Sequence, residues 1–93
     1  MANALNLKEE RKQLINELIA DQGSDWEAQY RPGSTGCHEL LDRISLFMES
    51  LDRFVLSHPA CVQNEEWFAL AYDAVSALNG LYQRIGEAHL SSE

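Results

Sequence analysis

The stretch CHELLDRISLFMESLDRFVLSH, residues 37–58, decides the fold. Cys37, Leu40, Ile44, Phe47, Leu51, Phe54 and His58 follow one another in alternating steps of three and four residues. Side chains at that step lie along one stripe of an α-helix, because about 3.6 residues complete a turn. Leu41, Met48 and Val55 add a second row with a period of seven and widen the stripe. The segment therefore reads as a long amphipathic helix over about 37–57. Thr35 is the candidate N-cap, and Pro59 stops the helix or lies just past its end.

Working outward, the same pattern recurs towards the C-terminus. Asn64 is a suitable N-cap, and Glu65 and Glu66 follow where the helix dipole favours acid. Trp67, Ala71, Ala74, Leu78, Leu81 and Ile85 then repeat at four and three, with Phe68, Val75 and Tyr82 in a parallel row. These residues predict a helix over about 65–86, with an extension as far as Leu90 left open. The short link between the two helices implies an antiparallel hairpin.

On the N-terminal side the signal weakens. Leu7, Leu14, Ile15 and Leu18 share a face of a helix over about 5–22, but Arg11 interrupts the stripe. Gly23 ends this helix in a left-handed conformation. Ser24-Asp25-Trp26-Glu27 matches a capping box and predicts a short helical loop over about 25–30, with Trp26 and Tyr30 on one face. Arg31-Pro32-Gly33-Ser34-Thr35-Gly36 is a turn by composition. The expectation is one all-α domain, 1–93: a small bundle built on a long hairpin, with the N-terminal helix and the Trp26 segment closing over it.

The apolar arcs of both hairpin helices span roughly 150°, wider than one packing contact requires. The narrow N-terminal helix is a poor lid for both. Two hairpins packed together would bury the excess in a four-helix core, so a homodimer is expected.

The chain has 15 acidic and seven basic residues, a formal charge of −8. Such a field disfavours nucleic acid and anionic lipid as partners and suits a protein with a basic surface. No apolar run is long enough to span a bilayer, and residues 1–10 lack the pattern of a signal peptide. A cytoplasmic location is the expectation. Cys37 and Cys61 flank a helix about 30 Å long, so an internal disulfide between them is excluded, and reduced thiols fit that compartment.

Few residues suggest chemistry. Hairpin geometry would bring Cys37, His38 and His89 to one end, where thiolate and imidazole could hold a metal or support a nucleophile. However, no C-x-x-C, H-x-x-x-H or H-E-x-x-H spacing accompanies them, and Cys37 opens an apolar stripe. No catalytic residue, metal or cofactor is assigned.

The functional expectation is a non-enzymatic, acidic, self-associating protein–protein interaction module. Its candidate partner-binding residues are Trp26, Tyr30, Leu46 and Tyr72: two loop aromatics, a leucine on a polar face and an off-row tyrosine. The metal- or thiol-dependent site is the first alternative. An acidic inhibitor mimicking nucleic acid is the second.

Overall fold

The computed structural model describes residues 4–91, so the first three residues of the N-terminal stretch weighed as a signal peptide lie outside it. Among the described residues the architecture is all-α, with no strand. Helix α1 spans Ala4–Gln22, α2 spans Thr35–Ser50, α3 spans Pro59–Val62 and α4 spans Glu65–Ser91. A 3₁₀ turn at Trp26–Gln29 lies between α1 and α2, and α2 runs on into a π-helical turn at Leu51–Leu56.

The hairpin forms as the spacing predicts. Helices α2 and α4 pack against each other, and α3 closes the bend between them. Cys37, Leu41 and Ile44 are the buried residues of α2. They face the half-buried row Val75, Leu78, Tyr82 and Ile85 of α4. Two ion pairs at a spacing of four lie on the exposed surface of α2 and the turn that follows it: Glu39–Arg43 at 2.7 Å and Glu49–Arg53 at 3.6 Å. Both are exposed and contribute little to stability.

The helix boundaries shift for local reasons. Ser34, not Thr35, caps α2: its Oγ accepts a hydrogen bond from the Cys37 N–H at 3.1 Å. Asn64 caps α4 as expected, with Oδ1 accepting from the Trp67 N–H at 3.0 Å. Pro59 does more than end a helix. It occupies the first turn of α3, where its missing N–H costs nothing, and His58 Nδ1 accepts from the Ala60 N–H at 3.1 Å. Helix α4 continues through Gly86 to Ser91. Cys37 and Cys61 are free thiols.

The expected capping box does not form. The 3₁₀ turn is preceded by Asp25, which makes no side-chain cap hydrogen bond. Gly23 does end α1 with φ 95°, its N–H donating to the Ile19 carbonyl at 2.8 Å.

The main departure concerns α1. Among the described residues it does not close over the hairpin; it packs only against the 3₁₀ turn, which in turn touches α2. Leu7 and Leu14 remain well exposed. The radius of gyration is 16.5 Å, with extents of 49 × 32 × 20 Å, whereas a compact 93-residue domain has a radius near ~12 Å. The stripe broken by Arg11 is too narrow to compete with solvent for the hairpin.

Candidate interaction surface

The broad apolar arcs of the hairpin divide into an inner and an outer part. The inner row of α2 is Cys37, Leu41 and Ile44, followed by the half-buried Met48 and Leu51. Leu40 and Phe47 lie roughly 60–80° around the helix from it, at 100° per residue, and Phe54 continues their seven-residue period into the π-helical turn. On α4 the inner row is flanked by Trp67, Leu70, Ala74 and Leu81, displaced by roughly 40–100° in the same rotational sense.

The two outer rows share one side of the hairpin. A displacement of the same sense on two facing antiparallel helices brings both rows to the same face. Phe54 and Trp67 accordingly line one groove of about 340 Å³, floored by Ala71 and Cys61. Six large residues of this face, Leu40, Phe47, Phe54, Trp67, Leu70 and Leu81, are 46–66% exposed. By the same projection no carboxylate falls within the face; the Arg53 guanidinium lies over the Phe54 ring, 5.4 Å from its centroid, and Arg43 lies at the rim. The opposite side of the hairpin carries His38, Glu49, Asp52 and Glu65, together with the exposed Phe68, Tyr72 and Leu90.

In the sequence, the excess width of the arcs points to a second hairpin without resolving which residues lie on the outside; Trp67 stands on a core row and Leu70 on neither row. The usable signal was the arc width, which exceeds what one neighbouring helix can cover.

The four candidate partner-binding residues do not form one surface. Trp26 and Tyr30 belong to the elbow between α1 and α2, with ring centroids 6.5 Å apart. Trp26 is half-buried. The Tyr30 hydroxyl donates to Gln22 Oε1 at 3.1 Å, tying the elbow to the end of α1. The Tyr30 ring also lies over Gly36, where a Cβ would meet the ring and stand 2.5 Å from the Gln29 carbonyl oxygen. Only glycine leaves room for that approach. Leu46 is 61% exposed on the outer side of α2, away from α4. Tyr72 lies on the side of the hairpin opposite the apolar face, its ring centroid 6.5 Å from that of Phe68.

The Cys37/His38/His89 end converges in part. The rings of His38 and His89 lie 5.9 Å apart. Both line a hollow of about 370 Å³ with Leu41, Tyr82 and Glu87. Cys37 is buried within the hairpin. The Gly33 N–H donates to His89 Nδ1 at 2.8 Å, which occupies one of that ring's two nitrogens and one amide of the glycine-rich turn. His38 Nε2 stands 3.6 Å from Asp42. Among the described residues no three His, Cys, Asp or Glu side chains are grouped to hold a metal ion.

Comparison with protein-family models, with curated proteins and with solved structures gave no significant match.

Proposed function

We propose that this protein is a non-enzymatic protein–protein interaction module whose docking surface is the apolar face of the α2/α4 hairpin. One observation carries the reading: a two-helix apolar face lies open, and the weakly amphipathic α1 of its own chain does not cover it. Monomeric proteins rarely leave so broad an apolar patch uncovered, and large ones mark interaction sites. The aromatic anchors Phe47, Phe54 and Trp67 suit the desolvated centre of an interface.

The acidic exterior has a separate role. With a formal charge of −8 carried away from the docking face, it keeps the open surface from indiscriminate association and disfavours nucleic acid or anionic membranes. It also suits a basic rim on a partner. Among the described residues no helix is long and apolar enough to cross a membrane. A cytoplasmic location, where Cys37 and Cys61 stay reduced, belongs to the same proposal.

A photoactivatable phenylalanine analogue in place of Phe47 tests the reading. Irradiation is expected to give adducts between chains, mapped by mass spectrometry. An adduct within one chain, joining position 47 to α1, would show that the face is an internal packing surface and would overturn the proposal.

A further inference from the structure

We propose that a second copy of this chain occupies the apolar hairpin face, making a two-fold four-helix core anchored by Phe47 and Trp67. The proposal rests on the reading of that face as a docking surface and names its occupant.

The area fits. The accessible surface is 7564 Å² for a chain of 10.5 kDa. A compact monomer of that mass exposes ~5,400 Å², leaving an excess of about 2,100 Å². Obligate homodimers bury ~2,000–5,000 Å² in total, or ~1,000–2,500 Å² per chain. The excess is shared between the projecting α1 and the open hairpin face, and a share of about half for the face would reach that range.

The charge distribution selects the same occupant. Two copies of a chain with charge −8 repel each other least where they carry no carboxylate. The hairpin face is that place. A basic partner would gain its electrostatic advantage on the acidic sides instead, and would bury its own cations unpaired against this face.

The face is also self-complementary in spacing. Leu40, Phe47 and Phe54 repeat every seven residues, as do Trp67, Ala74 and Leu81. Equal heptad repeats on antiparallel helices allow knobs of one hairpin to enter gaps of another. Ala74, between Trp67 and Leu81, provides such a gap for a large side chain such as Phe47. The chain's own α1 is not a competitor, since the Tyr30–Gln22 hydrogen bond and the Tyr30–Gly36 approach hold it at the elbow.

Sedimentation equilibrium on the full chain and three variants tests the proposal. Wild type is expected to sediment as a dimer. Phe47→Glu and Leu81→Glu should each weaken dimerisation by roughly a hundredfold or more, because each places an unpaired charge in a desolvated interface. Ser76→Glu, on the outward side of α4, should change it by less than about threefold. A dimer indifferent to both face variants would overturn the proposal. Should either face variant lose its helical circular dichroism, isotope-filtered NOEs on mixed labelled and unlabelled wild type decide instead. Contacts from the Phe47 or Trp67 ring to Ala74 or Leu81 methyls of another chain support it, and their absence from a dimeric sample overturns it. Wild type that stays monomeric at every concentration also overturns it, and thiol labelling of Phe47→Cys then separates two cases. Fast labelling leaves the docking-surface reading standing with a different occupant, whereas protection by α1 removes both.

Discussion

The Gly33 N–H donates to His89 Nδ1 at 2.8 Å across 56 residues of sequence. This bond joins the turn before α2 to the last turns of α4. It requires a neutral imidazole with its proton on Nε2, since a charged ring has no acceptor at Nδ1. Gly33 has φ 90°, a conformation that other residues rarely adopt. The elbow that keeps α1 off the hairpin is therefore tied down at its far end by a single polar contact.

Replacing His89 with alanine should loosen that end without unfolding the hairpin. The expected cost is about 0.5–1.5 kcal/mol, the net worth of one hydrogen bond. Native-state hydrogen exchange should speed up at the Gly33 amide while the Ile44 amide stays protected. Unchanged exchange at Gly33 would show that the bond does not persist in solution.

Ile44 is 6% exposed at the centre of the α2/α4 contact. Ile44→Ala should cost about 2–4 kcal/mol through lost burial and a residual cavity. With three buried residues among those described, this is a large share of total stability. Urea denaturation followed by circular dichroism measures it. A cost under about 1 kcal/mol would mean that the contact collapses around the deletion.

Gly80 sits inside α4, and a Cβ added there meets nothing within 4 Å. Gly80→Ala should stabilise the protein by about 0.5–1 kcal/mol, through helix propensity alone. Its thermal midpoint should rise. A fall would reveal a close neighbour at that position in the assembled protein.

Leu46 and Phe47 are adjacent, and both are more than 60% exposed, but they face different directions. Leu46→Glu should leave the molecular mass in light scattering unchanged, in contrast to Phe47→Glu. A loss of self-association in Leu46→Glu would move the interface to the outer side of α2.

Trp26→Ala combined with Tyr30→Ala should release α1 from the elbow, because it removes the ring contact and the Gln22 hydrogen bond. Amide exchange should accelerate throughout residues 4–22, while α2 and α4 keep their protection. Global unfolding would instead assign these aromatics to the core.

The hairpin was legible because its signal is local and repeated. Each turn from Cys37 to Phe54 and from Trp67 to Ile85 places an apolar residue on the same side, so single exceptions do not obscure the period. The Asn64 cap and the Glu39–Arg43 and Glu49–Arg53 pairs were legible for the same reason, being contacts within three or four residues. What was not legible depends on distant parts of the chain. Whether Leu40 or Leu41 faces α4 differs by one residue's rotation within a single wide arc, and the approach of α4 decides it. The position of α1 depends on the elbow, where Tyr30 over Gly36 and Gly33 against His89 are tertiary contacts. The π-helical turn at Leu51–Leu56 likewise has no marker in composition. Among the candidate binding residues, Trp26 and Tyr30 were correctly read as neighbours from their spacing of four. Their distance from Leu46 and Tyr72 followed from the fold alone.

Light-scattering mass on the purified, reduced protein over a wide concentration series tests the central claim most directly. The account predicts about 21 kDa, twice the 10.5 kDa chain mass, falling towards the monomer only on strong dilution. A mass of 10.5 kDa at every concentration, with the helical spectrum intact, would contradict the proposed two-fold core.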